Sequence, residues 1–176
     1  MRSLAILLIV TLGLAACAET IGSGGAKQYR ISSGNTSKIQ FRVLDSINVL
    51  RQASGANPVE LNSQLNAAAA THSQDMAMQN RPWHFGSDGS SPLDRVARVG
   101  YSGKLVGETI SETYETETET LGAWMNQDDT RSVLLDPKAQ DIGFAWFQEK
   151  GGKIWWTLVM GQRNAFLVAG NEDNQG

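Results

Sequence analysis

The sequence predicts an α+β domain in three layers, an α-β-α sandwich with a small and mainly antiparallel central sheet. Two observations carry this. Residues 142–148 and 154–160 read as strands, with a turn at Lys150, Gly151 and Gly152 between them, which is the simple pattern of a hairpin. Both strands are apolar on both faces. Ile142, Phe144 and Trp146 point one way and Ala145 and Phe147 the other; Ile154, Trp156, Leu158 and Met160 oppose Trp155, Thr157 and Val159. A sheet apolar on both faces needs a helical layer on each.

The N-terminal residues are set aside first, because they read as a targeting segment. Arg2 gives a basic start and residues 4–14 an apolar run too short to cross a bilayer as a permanent helix. Leu14-Ala15-Ala16-Cys17 resembles the lipobox of bacterial lipoproteins. It implies a signal peptide over 1–16, acylation of Cys17 and stable anchoring by two or three chains. Residues 17–34 are Gly, Ser and polar rich and read as a flexible tether. Residues 171–176 read as a polar tail, leaving 35–170 as the domain. Cys17 is the only cysteine, so an intrachain disulfide, a cysteine nucleophile and a Cys-based metal site are excluded from the domain. The formal charge is -3, and no basic cluster gives a nucleic-acid footprint.

Asn35 or Thr36 can cap a first helix, in which Ile39, Val43, Ile47 and Leu50 recur at helical spacing. Gly55 and Asn57-Pro58 stop it. A second helix opens at Leu61-Asn62, buries Leu65, Ala69, His72 and Met76 on one face, and ends at 80–82. Residues 81–91 form a loop. Ser91, Pro92 and Asp94 start a short helix that stops at Gly100. A third strand is expected over about 106–111. The Glu/Thr run over 112–120 invites a strand, but Thr116 with Glu119 forms a capping box, so a helix is expected to about Gln127. Its acids then form a solvated helix start. Residues 131–137 read as a turn with Val133, Leu134 and Leu135 as an apolar plug, and 166–169 as a further strand.

Several side chains could carry chemistry. His84 sits in the loop between Trp83 and Phe85, where a scaffold presents functional groups; it reads equally as a partly buried histidine bonded to main chain. Glu108, after Gly107, can tune an imidazole as acid or base, or form a structural pair. His72 reads as a satisfied core histidine, and Asp75 as a cap or a partner for Arg95 or Arg98. Zinc needs three or four ligands, and two histidines are a thin supply. Neither a nucleophile elbow nor a phosphate loop is present.

The pieces over 69–77, His84, 88–95, Gly100-Tyr101, Gly107-Glu108, Trp124-Met125, Arg131, Leu134-Leu135 with Pro137, Ile142-Gly143 and Trp155-Trp156 ending at Gly161 keep an order and spacing. Together they resemble the CAP superfamily, the SCP-like or cysteine-rich secretory, antigen 5 and pathogenesis-related 1 proteins, in its compact cysteine-free bacterial branch. The resemblance implies the α-β-α sandwich and a cleft with two histidines and two acids, which holds Zn or Mg in some members. It makes His84 the first cleft histidine and Glu108 the glutamate of a Gly-Glu-Asn motif, with Thr109 in place of Asn. It leaves His72, Asp75, Arg95, Trp124 and Arg131 as structural. Thr130 stands where the second histidine is expected, and Gln127 where bacterial members carry Ser. Asp128 or Asp129 could lend oxygen to a hard cation only weakly. No cofactor is therefore expected.

The resulting expectation is a protein anchored by lipid in a bacterial cell envelope, at the outer membrane in a Gram-negative cell because Ala18 follows Cys17. Its cleft would bind a small ligand, lipid, peptidoglycan component or protein without catalysis. The competing expectations are a hydrolase of peptide or wall polymer using His84 and Glu108, and a structural surface protein with a vestigial cleft.

Overall fold

A computed structural model describes residues 29–164. Within them the chain forms α1 (Thr36–Ala53), β1 (Glu60–Leu61), α2 (Ser63–Gln79), α3 (Pro92–Arg98), β2 (Lys104–Ser111), α4 (Glu117–Met125), α5 (Asp128–Leu134), β3 (Asp141–Gln148) and β4 (Ile154–Gln162). The sheet order is β1-β3-β4-β2. β4 pairs antiparallel with both β3 and β2, and β1 pairs parallel with β3. The α+β architecture with a mostly antiparallel sheet between helices is as the two-faced strands require.

The alternation along β3 and β4 sorts the core into two. Ile142, Phe144, Trp156, Leu158 and Met160 pack against Ile39, Val43 and Ile47 of α1, Leu121 and Trp124 of α4, and Leu134 of α5. Ala145 and Val159, on the other face, meet Leu65, Ala68 and Ala69 of α2 and Val96 of α3. Gly143 lets α2 approach the sheet, because a Cβ there would overlap the main chain of Leu65. Ser73 adds a buried hydrogen bond from α2 to Thr157 at 2.9 Å.

Caps set the helix starts. Asn62 accepts from the amides of Gln64 and Leu65. Ser91 with Asp94, and Thr116 with Glu119, form full capping boxes, so the acidic run does start a helix. Five details differ from the sequence reading. Glu117, expected in a solvated helix start, is buried and pairs with Arg42 and Tyr29. Leu61 lies in β1, not at a helix start; its two-residue strand is too short to leave a periodicity. Residues 128–134 are helical where the sequence suggests a turn, with Leu134 as the buried plug. Tyr29 and Ile31, which composition places in the tether, pack against the core. β2 begins two residues early, at Lys104. The strand expected over 166–169 lies outside the described residues.

Arg51 carries no signal in the apolar pattern of α1, yet it is fully buried. Its guanidinium donates to the carbonyls of Asn57 (2.7 Å), Leu134 (2.7 Å), Asp136 (3.1 Å) and Ala139 (3.1 Å). Burial pushes its pKa down, with Asp136 acting the other way. One side chain thereby ties α1 to the end of α5 and the turn into β3. Arg51→Ala strands the carbonyls of Asn57, Leu134 and Ala139 and leaves that of Asp136 with the Ala139 amide alone, and the loss is expected to be at least about 3 kcal/mol, measured by urea unfolding.

Candidate functional site

β2 is an edge strand, and its ladder with β4 is irregular between Leu105 and Gly107. Leu105 packs with the α2–α3 side. Val106 packs with the α1 side, and a Cβ on Gly107 would meet Val133 of α5 on that same side. Two successive residues on one face are what a bulge produces. Its consequence is that Glu108, opposite Val159, points toward α2 and α3.

There the Glu108 side chain is only 3% exposed. Arg95 Nη2 donates to its Oε1 at 2.9 Å and its Oε2 at 2.8 Å. Arg95 Nη1 also donates to the Ser90 carbonyl at 3.1 Å. The α3 capping box therefore aims Arg95 at β2. His84 Nδ1 lies 2.9 Å from Glu108 Oε1. The carboxylate can only accept, so Nδ1 carries the hydrogen. The His84 side chain is 48% exposed, and its Nε2 has no partner among the described residues.

α2 holds the loop that presents His84. His72, fully buried, donates from Nε2 to the Trp83 carbonyl at 2.9 Å. Trp83 Nε1 donates to Gln79 at 2.9 Å. Asp75 accepts from the Ser87 amide (2.7 Å) and hydroxyl (2.6 Å). Asp75 thus pairs with the loop and not with Arg95 or Arg98; Arg98 pairs with Asp88. Desolvation, helped by Arg95, pushes the His72 pKa below its ordinary 6.5, against a smaller opposing pull from Glu108. His72 Nε2 is 3.6 Å from Glu108 Oε1; with a neutral ring this is a contact and not an ion pair. His72 Nδ1 and Arg95 Nε are buried without partners.

The α5 candidates are committed elsewhere. The Thr130 hydroxyl donates to the Trp124 carbonyl at 2.6 Å. Asp129 accepts from the Thr130 amide at 2.8 Å, Asp128 pairs with Arg131, and the Gln127 side chain makes no cap. Trp124 Nε1 donates to the Ile110 carbonyl at 3.1 Å, and Arg131 Nη1 to that of Met125 at 3.0 Å. The structure joins His84, Glu108, Arg95 and His72 and leaves Gln127, Asp128, Asp129 and Thr130 outside their hydrogen bonds. Arg95 and His72 read from the sequence as structural only. An acid thirteen residues from an arginine is a signal without a geometry, and the bulge that joins them is silent in the sequence.

These residues do not fit the Zn or Mg that the resemblance implies. Both Glu108 oxygens lie on a guanidinium, the near nitrogen of His84 is on Glu108, and Thr130 is turned to main chain. Among the described residues no three of His, Cys, Asp and Glu gather to hold a metal ion. None of the described helices is long and apolar enough to cross a membrane.

Residues 44–160 match the CAP family, described as the cysteine-rich secretory protein family. The Bacillus subtilis protein YkwD is 30% identical over 128 residues, covering 73% of this chain but 49% of its own length. The chain thus spans about half of that relative. An outer surface protein of Borrelia burgdorferi has the same fold at a TM-score of 0.69 and 18% identity, over 78% of this chain and 99% of its own. An extracellular SCP-domain protein of Bacillus anthracis gives 0.67 and 19%, over 77% and 45%.

The buried pair and the buried histidine each have a measurable signature. Arg95→Met leaves a buried carboxylate unpaired and should cost about 3–5 kcal/mol, while Arg95→Met with Glu108→Gln recovers much of it in a double-mutant cycle of unfolding free energies. The His72 ring binds a proton more readily in the unfolded chain than in the folded one. Stability should therefore fall as pH drops below 6.5, toward the lower folded-state pKa, and be fully present above it. His72→Gln should flatten that part of the profile in urea titrations between pH 7.5 and 5.

Proposed function

The chain belongs to the cysteine-rich secretory protein (CAP) family, and from that premise we propose that it is an envelope-anchored CAP domain that binds a ligand or partner beside His84 without catalysing a reaction on it. The pairing of Glu108 with Arg95 carries this reading. Both oxygens of this buried carboxylate accept from Arg95, so Glu108 is held in place and turned away from a substrate. Among the described residues the His84 ring is bonded to Glu108 and to no Ser or Thr. What His84 offers is an exposed imidazole in a fixed orientation, followed in the loop by the exposed Phe85. A polar anchor beside apolar surface suits binding.

In this reading Cys17 carries the lipid, residues 1–16 are removed, and the stretch from Cys17 to Tyr29, which packs on the core, joins the anchor to the domain, with 171–176 as a tail. The surface and extracellular contexts named for the two structural relatives agree with display in a bacterial envelope. Ala18 in place of an acid directs the protein to the outer membrane in a Gram-negative cell. The partner is an envelope lipid, a wall component or a protein.

The test is incubation of the full chain with purified cell envelope and with a peptide mixture, followed by mass spectrometry of every soluble product. The expected result is retention of the protein on the envelope, weakened by His84→Ala, with no released fragments. The 2.9 Å contact of His84 with Glu108 favours the hydrolase as the second reading. Fragments that appear with the native chain and vanish with His84→Ala would establish it. Neither retention nor fragments would leave a structural surface protein.

A further inference from the structure

The edge of β2 beside His84 exposes main chain, not side chain. Glu108 keeps exposure as a residue, whereas its side chain is 3% exposed; the exposed part is its peptide groups. Their direction follows from the ladder. Phe144 turns its N–H to Asn66 Oδ1 and its carbonyl to Gln40 Nε2, each at 2.8 Å, away from β4. Hydrogen-bonding direction alternates along antiparallel strands. Leu158, opposite Phe144, therefore bonds to Thr109 on β2. Glu108 and Ile110 then face outward, and the Ile110 carbonyl, met by Trp124 Nε1, has that phase. Among the described residues the N–H and C=O of Glu108 and the N–H of Ile110 have no partner.

We propose that this edge takes an extended peptide as an added strand, paired through Glu108 and Ile110 with the His84 ring beside it. The inference rests on the binding function and names its ligand class. A donor and an acceptor on Glu108, followed two residues later by a donor, match the main chain of a strand. They give a lipid tail nothing to pair with. The bulge at Val106 and the inward Glu108 side chain are devices that blunt an edge against long pairing. They restrict the open stretch to about residues 108–111, so the occupant is a short segment, its side chains falling alternately toward His84 and toward α5.

The experiment selects random decapeptides displayed on phage against the full chain and resynthesises the binders in two series, N-methylated at odd or at even positions. Methylation removes strand donors on one edge only. One series should bind as the parent does and the other lose at least about tenfold. Amide hydrogen exchange at Glu108 and Ile110 should slow on binding, with Thr109 unchanged. Equal effects of the two series overturn the proposal. Slow exchange at Glu108 before any peptide is added also overturns it, by assigning the edge to a second copy or to the chain's own residues 165–176. If no peptide is recovered but envelope retention persists, the peptide class is wrong and the binding reading stands; loss of both removes the reading itself.

Discussion

A carboxylate side chain 3% exposed is the constraint around which this domain is arranged. Burying a charge is tolerable only with a partner of opposite sign and with its lone pairs satisfied. Glu108 meets both terms through Arg95 and His84. Each partner needs its own support. Arg95 reaches β2 because a capping box fixes the start of a two-turn helix. His84 reaches it because His72, Gln79 and Asp75, on successive turns of α2, hold the loop from Trp83 to Ser87. The neutral His72 ring is part of the same account, since a second cation beside Arg95 in a dry site would be repelled.

The sheet makes the arrangement possible from the other side. Because β3 and β4 are apolar on both faces, helices cover both, and β2 is left at an edge where the two layers open. Arg51 secures the α1–α5 layer without a salt bridge, by donating to four carbonyls after α1 and α5, three of which have no other donor among the described residues. Gly143 and Ser73 seat α2 on the opposite face. The polar site lies between these fixed bodies, with its groups supplied by one strand, two helices and one loop.

Much of this was legible because the signals are local. Period-two and period-3.6 patterns marked β3, β4, α1 and α2, and the spacing of Thr116 to Glu119 and Ser91 to Asp94 marked two helix starts that hydropathy alone would miss. Leu61 in β1 and the helix over 128–134 escaped because two residues show no period and one apolar plug looks like a turn. Arg51 escaped as a framework residue, and Arg95 and His72, read as structural, escaped as members of the site, for a different reason. Their roles depend on partners up to 88 residues away, and on a bulge that reverses the facing of every β2 residue after Val106. Placing His84 and Glu108 in one cleft came from family resemblance, not from spacing.

A guanidinium on the buried carboxylate offers a ligand something different from what a metal would. A divalent ion leaves coordination positions that a ligand oxygen can enter, and its hold depends on ligand protonation. A guanidinium directs its donors along fixed lines; here Nη1 and Nη2 end on Ser90 and Glu108, and Nε is buried without a partner among the described residues. The Arg95 and Glu108 side chains are 5% and 3% exposed, so the charged centre presents almost nothing to a ligand. Recognition must then come from what surrounds it: one imidazole nitrogen, the exposed Phe85 next to it in the loop, and the outward peptide groups of Glu108 and Ile110. The bulge at Val106 thus has two effects at once. It buries the carboxylate against Arg95, and it ends the regular edge so that the short stretch beside His84 is what remains open to a partner.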